Sequence, residues 1–314
     1  MFPAFLTTIL FSLSAVTGTR TAKLFGAAEG NFWRFCLAAG ILSVYAHTLG
    51  QGIAGPGFTI FFISGCIGFG GDIALFQAYV RIGSRLTILI VQTMAAPFAA
   101  ITEWVWLGNA LAPQEILCAG VILLGVGMAL APGEHIKADR RAMIAGIAYS
   151  LFAAYCQGFG AVLARKGYDV VKANGGHIDG VTTAYQRLLG GMLVTALFLL
   201  FVKRREILER LGVIKSDDDA RATRVGERAN LWRKGWYWLV ANALTGPAFG
   251  VSCYQWALLY KSTGVVLPIV AMTPLMVIPL ARIFEGEKPT KRSLLGGVIA
   301  VVGAVGLTLV TRPQ

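Results

Sequence analysis

The side chains of this sequence that can do chemistry are the few polar groups inside its long apolar runs. Polar groups in hydrocarbon cost several kcal/mol unless they are paired or face water, so each one is a candidate for function. Asp72 is the foremost candidate, because it lies roughly two-thirds along an apolar run and follows the glycine-rich stretch Gly65 to Gly71. A carboxylate at this depth can bind a cation or exchange a proton. The alternative is that Asp72 pairs with Arg34, Arg187 or a backbone amide and serves packing.

Hydrogen-bonding side chains on other apolar runs extend this set to a candidate pathway for a small molecule. Its members are Asp72, Gln77, Gln92, Thr93, Tyr155, Gln157, Tyr254, Gln255 and Thr273. The alternative role of these groups is to hold helices together through hydrogen bonds worth about 0.6 kcal/mol each.

Three charged residues are possible partners for one another or for Asp72. Glu103 lies about one turn from the end of its apolar run, which favours a position at the membrane interface. Arg34 and Arg187 lie near the starts of their runs, so their long stems can snorkel to the interface. Structural anchoring is the favoured role for both arginines, and anion binding is the alternative.

No pattern indicates catalysis, a cofactor or a metal site. The histidines (His47, His135 and His177) lie at or beyond the ends of apolar runs, and the cysteines are isolated from one another. An intramembrane protease of the GxGD type needs a second membrane aspartate, and Asp72 has none; Phe69 also breaks the glycine spacing that precedes the acid. No P-loop, GxSxG or dinucleotide-binding fingerprint occurs in the right context. We therefore expect no enzyme activity.

The elements that carry these side chains are apolar runs long enough to cross a bilayer. The chain is 56% hydrophobic and only 14% charged, whereas a soluble domain is about a quarter charged. About 20 residues at 1.5 Å per residue cross the roughly 30 Å of hydrocarbon. The sequence therefore predicts an all-α polytopic membrane protein with a lipid bilayer as its surroundings. The ten predicted transmembrane helices are 3–19, 33–50, 57–80, 86–107, 115–132, 143–164, 181–202, 236–259, 263–284 and 294–311.

Proline lies inside two of these runs, at Pro97 in the fourth and at Pro268, Pro274 and Pro279 in the ninth. Each proline removes a backbone hydrogen bond and kinks its helix. Kinks at matched positions in two halves of a bundle suit gating around a shared binding region. A static bend is the alternative.

Short similar segments run in the same order through the two halves of the chain. The matched pairs are Ile9–Leu13 with Ile147–Leu151, Phe32–Phe35 with Tyr185–Leu188, Phe76–Gln77 with Tyr254–Gln255, and Leu107–Gly108 with Glu285–Gly286. These matches predict two five-helix repeats, 1–135 and 142–314, with a charged, solvent-exposed loop at 203–233 in the second. That loop is expected to be partly helical from Arg204 to Leu211. Because five is odd, the halves must enter the membrane from opposite sides, as inverted repeats do; a duplicated packing unit without transport is the alternative.

Several of these features together resemble one known family. Ten spans in two sets of five, Arg34 and Arg187 at the start of the second span of each half, and the Gly-Glu-Lys-Pro of Gly286 to Pro289 resemble the drug/metabolite transporter superfamily, EamA type. The final span, Leu294 to Gly306, is also typical of it. The resemblance covers nearly the whole chain and implies the fold and a transport class, but not the substrate.

The resemblance also implies where a site would lie. In the resembled family the central cavity is lined by spans one, three and four with six, eight and nine, and the candidate pathway residues fall on those spans. Two features depart from the pattern: Gly108-Asn109 stands where the family often has Gly-Glu, and span one has no acid like the one that couples protons in small multidrug exporters.

The function that this implies is secondary transport of a small metabolite, amino-acid-like or related, or of a drug, by alternating access and as an exporter. The alternative is a membrane-embedded lipid-handling protein, a flippase or a transferase without a recognised motif. The stripe Gly296, Ala300 and Ala304 suits close helix packing and predicts scaffold or a homodimer face rather than a binding site.

The distribution of basic residues predicts the orientation. The odd-numbered loops hold about 20 Lys and Arg, whereas the even-numbered loops and the C-terminus hold five. The positive-inside rule then places the odd loops in the cytoplasm and both termini outside, although the resembled superfamily is more often drawn with both termini inside. The same bias accounts for the net charge of +12 without a nucleic-acid partner. A bacterial inner membrane is the expected location.

Overall fold

The computed structural model describes residues 1–130, 140–204, 218–276 and 291–310, and the regular elements in these ranges are all helical. Three features of the sequence prediction lie outside them: Pro279, His135 and the Gly286–Pro289 motif. The helices are α1 (Phe2–Phe25), α2 (Ala27–Thr48), α3 (Phe58–Leu107), α4 (Pro113–Leu130), α5 (Arg140–Ala173), α6 (Gly180–Val202), α7 (Asp218–Ala243), a π-helical turn (Leu244–Ala248), α8 (Phe249–Tyr260), α9 (Thr263–Val270) and α10 (Lys291–Val310).

Helix ends follow local chemistry. Gly26 separates α1 from α2 with a φ of 78°, a conformation that favours glycine. Gly108 ends α3 in the left-handed conformation, with its backbone N–H donating to the carbonyl of Trp104. Asp179 begins α6, because its carboxylate accepts hydrogen bonds from the backbone N–H groups of Val181 and Thr182 at 2.8 and 2.9 Å.

The 50-residue α3 is not one straight rod. The hydroxyl of Ser64 donates to the carbonyl of Gly160 at 2.6 Å, while a Cβ on Gly158 would lie 3.1 Å from the backbone nitrogen of Ala99. Two neighbouring parts of α5 thus contact two parts of α3 that a straight helix would separate by about 50 Å. The chain therefore reverses direction within α3, between its apolar stretches Phe58–Leu75 and Thr87–Leu107. Residues 81–85, which link the predicted spans 57–80 and 86–107, thus have helical backbone in the region where the chain reverses.

Several helices are suited to a membrane by length and composition. In the described ranges, four segments are long and apolar enough to cross one: Phe58–Leu75, Thr87–Leu107, Arg140–Ala173 and Gly180–Val202. Shorter apolar helical segments are Phe2–Gly18, Pro113–Ala129, Thr263–Met276 and Leu294–Val310. Large apolar side chains such as Val105, Leu124 and Leu309 are 74–81% exposed, as a lipid-facing surface requires.

The charged segment after α6 differs from its prediction. The expected loop 203–233 is helical from Asp218 onward, because α7 begins there and continues to Ala243. Its arginines and alanines favour helix, and two aspartates at its start suit the positive end of the helix dipole. The expected helix from Arg204 to Leu211 lies outside the described residues from 205 onward.

The predicted spans eight and nine are interrupted. Span eight passes through the π-helical turn Leu244–Ala248, which contains Pro247. In span nine, α9 ends at Val270, and helical backbone resumes at 273–276 after a turn; the predicted end at 284 lies outside the described residues. The helix of span four, by contrast, continues through Pro97 without a break. The matching kinks in spans four and nine therefore stay a prediction for span four, where the helix continues past the one hydrogen bond that Pro97 removes.

The stripe on α10 packs inside the chain. Ala300 and Ala304 are at most 1% exposed, and a Cβ on Gly296 would lie 2.6 Å from the backbone nitrogen of Ala129 on α4. Small residues here let the α4 and α10 backbones approach closely. This is the scaffold role among the two that the sequence left open.

Candidate functional site

Asp72 forms an ion pair with Arg34. The guanidinium Nη2 of Arg34 donates to Oδ2 of Asp72 at 3.1 Å, and its Nε donates to Oδ1 of Asn31 at 2.8 Å. The side chains of Arg34 and Asp72 are 17% and 22% exposed. Of the partners that the sequence allowed for Asp72, the structure forms the one with Arg34, which joins α2 to α3.

Arg187 is buried in the bundle instead of snorkelling to its surface. It is the eighth residue of α6, about 10 Å from the start of the helix, and only 5% exposed. Its Nε and Nη1 have no hydrogen-bond partner within the described ranges. Its guanidinium carbon lies 6.0 Å from the centre of the Phe69 ring. An arginine at this depth without a carboxylate partner is unusual, because burying a charge is costly unless it is paired.

Glycines of α3 make room for α6 and for this guanidinium. A Cβ on Gly65 would overlap the carbonyl oxygen of Arg187, so only glycine permits the two helices to approach this closely. A Cβ on Gly68 would lie 3.1 Å from Nη2 of Arg187. The glycine-rich stretch that precedes Asp72 therefore serves Arg187 more directly than it serves the acid.

Two tyrosines accompany Arg187. Tyr168 of α5 and Tyr254 of α8 both lie within electrostatic reach of the guanidinium. The hydroxyl of Tyr168 donates to the backbone carbonyl of Gln255 at 3.0 Å. The hydroxyl of Tyr254 and both polar atoms of the Gln255 amide are buried without a partner in the part of the chain that the structure describes. We call Tyr168, Arg187, Tyr254 and Gln255 the central polar cluster.

The other predicted pathway residues fall into separate groups. Gln77 accepts a hydrogen bond from Arg81 at 2.7 Å, and Arg81 also lies over the ring of Tyr149. Gln157 reaches Gln92 at 3.5 Å, the outer limit of a hydrogen bond.

Two further pathway candidates make contacts of their own, apart from the central polar cluster. The hydroxyl of Thr93 bonds the Leu89 carbonyl of its own helix. Tyr155 is 45% exposed and stacks on Phe159. Gln77 and Gln255, which occupy matching positions in the two halves, have different surroundings: Gln77 accepts from Arg81, whereas the amide of Gln255 belongs to the central polar cluster.

Glu103 is buried and joins the two halves of the chain. It is 2% exposed, and its Oε2 accepts hydrogen bonds from the backbone N–H of Thr263 at 2.8 Å and from the Thr263 hydroxyl. Its Oε1 accepts from Asn109 at 3.3 Å. Glu103 thus caps the start of α9, where Ser262 makes no side-chain capping bond. It lies inside the protein, between the end of α3 and the start of α9, and its position at the membrane interface stays a prediction.

The break in span nine is held by α1. Pro274 has no N–H for the carbonyl of Val270, and the hydroxyl of Thr273 donates to that carbonyl at 2.6 Å instead. Thr8 and Ser12 of α1 donate to the carbonyls of Ile269 and Thr273 at 3.1 and 2.8 Å. Hydroxyls of a neighbouring helix thus add hydrogen bonds to the backbone on both sides of the break.

Sequence reasoning missed several residues of this region, namely Tyr168, Arg165, Thr8, Ser12 and Pro247. Arg165 donates from Nη1 to the carbonyls of Leu258 and Leu259 at the end of α8, at 3.0 Å each. The Thr-Gly-Pro at 245–247 was a usable signal, because glycine and proline inside an apolar run indicate a break. Tyr168 gave no signal, since its partners become neighbours only on folding. Within the described ranges, no group of three or more His, Cys, Asp and Glu side chains is placed to hold a metal.

Comparison with known proteins adds a family and a fold. The model of the EamA family, described as the EamA-like transporter family, matches residues 144–309, which is more than half of the chain. A solved structure titled "Crystal structure of protein" superposes with a TM-score of 0.72 at 16% sequence identity, covering 98% of this chain and 96% of its own. The same fold thus extends over the whole chain. Among curated proteins, none matches.

Proposed function

Since this chain belongs to the EamA-like transporter family, within the drug/metabolite transporter superfamily, we propose that it is a secondary transporter that moves a small metabolite or drug by alternating access. The carrying observation is the central polar cluster. Its buried charge and orphaned hydrogen-bonding atoms cost free energy in a bundle of this kind unless a ligand meets them. A solute that enters between the helices would satisfy them.

The packing of the helices supports inverted repeats. In such repeats, each span of the first half corresponds to the span five places later. Exchanging the two halves then converts the contact of span one (α1) with span eight (α7–α8) into the contact of span six (α5) with span three (the first part of α3), and both contacts are present. The pairs α2 with α6 and α4 with α10 each turn into themselves. Contacts related in this way are expected of a pseudo-two-fold axis that lies in the membrane plane. The repeats would be 1–135 and 142–314.

The broken span nine supports rocking of the halves against each other. Discontinuous helices at a repeat interface are a recurrent feature of transporters with a midplane site. Here Thr8 and Ser12 of α1, in the other half, donate hydrogen bonds to the carbonyls at the break. Movement of one half relative to the other would therefore displace the break. The proposed direction of transport is export across a bacterial plasma membrane. The odd-numbered loops lie in the cytoplasm in this proposal.

Release of solutes from loaded proteoliposomes tests this proposal. Purified protein is first screened by thermal shift against amino acids, organic acids, nucleobases, sugars and cationic drugs, because a ligand of the folded state raises its apparent stability. Solutes that bind are then loaded into proteoliposomes and their release is compared with protein-free liposomes. Release that saturates with concentration supports transport. Flipping of labelled lipids or turnover of a substrate in detergent, without solute release, would instead indicate the lipid-handling alternative.

A further inference from the structure

We propose that the central polar cluster binds the carboxylate of a small organic monoanion, with Arg187 as the anion-binding group and the hydroxyl of Tyr254 as a second donor. This assignment names the substrate class and rests on the proposed transport function. It changes the role of Arg187 from the structural anchor that the sequence favoured to a ligand-binding residue.

The charge balance around Arg187 carries the first step. Its guanidinium is 5% exposed, and no carboxylate of the described ranges forms an ion pair with it. Acids of the packed helices have other tasks: Glu103 caps α9, and Asp179 caps α6. Asp72 is paired with Arg34. A permanently charged group is thus buried with a net positive charge that an anion can neutralise.

The hydrogen-bonding groups carry the second step. Nε and Nη1 of Arg187 are both unused in the described part of the chain. Each of these nitrogens can donate a charge-assisted hydrogen bond to a carboxylate oxygen. The hydroxyl of Tyr254, also buried and unused, is a further donor on α8, which packs against α6. These groups donate to anions, and an arginine repels a cation, so a cationic drug is a poor fit to this position.

The magnitude of the charge separates a carboxylate from a phosphate. Arg187 supplies one positive charge, and the other cation near Tyr168, Arg165, is bonded to the carbonyls that end α8. A monoanion balances the charge of Arg187 alone, whereas a phosphate dianion needs a second cation, and the Nη1 of Arg165 is already bonded to the carbonyls that end α8. Glycines at 65 and 68 admit the arginine but provide no further donor side chain.

Thermal shift of the purified full-length chain in detergent tests the site. The probes are benzoate and lactate as monocarboxylates, benzamide as the neutral match, and inorganic phosphate and chloride as other anions. We expect benzoate or lactate to raise the melting temperature in a saturable way, and benzamide, phosphate and chloride at the same ionic strength to have no such effect.

Three variants separate a ligand-binding role from a structural one. Arg187→Met removes the charge at similar volume, so we expect a ligand-free melting temperature equal to or above wild type and loss of the carboxylate shift. Tyr254→Phe removes a hydroxyl without a protein partner, so it should leave the ligand-free protein as stable and weaken carboxylate binding about tenfold. Tyr185→Phe is the matched control, because its hydroxyl faces His47 at 3.3 Å outside the cluster, and it should bind as wild type.

The outcomes are distinct from those of the transport test. A carboxylate shift that persists in Arg187→Met, or an equal shift with phosphate, chloride or benzamide, overturns the site. Transport of a neutral or cationic solute that is unchanged in Arg187→Met overturns the site and leaves the transport proposal standing. Carboxylate binding that depends on Arg187, without any flux in proteoliposomes, supports the site and overturns the transport proposal.

Discussion

Glu103 makes the contact on which a single residue change should have the largest structural effect. It lies 160 residues along the sequence from Thr263, and its carboxylate accepts hydrogen bonds from the backbone N–H and the hydroxyl of Thr263 at the start of α9. We expect Glu103→Ala to lower the free energy of unfolding by about 2–3 kcal/mol, because two buried donors would lose their acceptor. Thermal or denaturant unfolding of the purified protein in detergent measures this.

Glu115 offers the matched control for that change. Its carboxylate accepts from the backbone N–H of Ala112 at 2.9 Å, but this bond is exposed and water can replace it. Glu115→Ala should therefore cost less than about 1 kcal/mol. Glu103→Gln keeps one acceptor oxygen and should fall between the two. Equal losses for Glu103→Ala and Glu115→Ala would contradict the capping role of Glu103.

Asp72 and Arg34 should behave as a coupled pair. Each single neutralisation, Asp72→Asn or Arg34→Gln, leaves a largely buried charge without its partner and should destabilise the protein by about 1–3 kcal/mol. The double variant should lose less than the sum of the two, and a double-mutant cycle on unfolding measures the difference. Additive losses would show that the ion pair contributes nothing. If pH-driven uptake is unchanged in Asp72→Asn, the acid is not the coupling group.

At the same scale, the sequence predicted the candidates better than their contacts. It identified Asp72, Glu103 and Arg187 as rare charged groups in apolar runs, and it included Arg34 among the partners of Asp72. It placed Arg187 near a surface because distance from a helix start was the only available measure of depth. Burial of Arg187 depends on α3, whose glycines bring it against α6 from more than 100 residues away along the chain.

Among the elements, the broken span nine is the one whose backbone depends on another helix. Thr8→Val with Ser12→Ala removes the two hydroxyls that α1 donates to the carbonyls of Ile269 and Thr273. We expect the free energy of unfolding to fall by about 1 kcal/mol, at roughly 0.6 kcal/mol per bond. We also expect a changed transport rate, because the proposed rocking of the two halves would move the break. Unfolding in detergent and flux in proteoliposomes are the two measurements.

Thr7→Val provides the control on the same helix. Thr7 is equally buried, but its hydroxyl bonds only the carbonyl of Pro3 in α1 itself, at 2.8 Å. The control variant should keep the wild-type transport rate. A rate that changes as much in Thr7→Val as in the double variant would indicate a general effect of α1 and not a role for the contact with span nine.

Element boundaries were predictable where apolar runs end at clear signals. The helices α4, α6 and α10 begin and end within a few residues of spans five, seven and ten, because proline, an aspartate cap or charged residues limit those runs. The helical reversal within α3 and the charged start of α7 were not predictable in this way. Hydropathy marks where a chain leaves the apolar layer, whereas helical backbone can continue past that point when its residues favour helix.

On the scale of the whole molecule, charge asymmetry predicts the orientation. The excess of Lys and Arg in the odd-numbered loops predicts that the segment between α6 and α8 is cytoplasmic and the loop between α5 and α6 is external. Half of the Lys and Arg of the odd-numbered loops lie at 203–234. The positive charge of such segments opposes their translocation across the membrane, and the alternation of the predicted spans then assigns a side to every other loop.

Cysteine labelling of two exposed positions tests this orientation directly. Asn174 lies in the loop between α5 and α6, and Arg233 lies on α7. In intact cells, a membrane-impermeant maleimide should label Asn174→Cys at once and Arg233→Cys only after the cells are opened. The unsubstituted chain is the control, because its own cysteines lie in apolar helices and should label weakly in both conditions. The reverse pattern would place the odd-numbered loops outside, together with the segment 203–234. The positive-inside assignment would then be wrong for this chain, but the fold and the central polar cluster would be unaffected.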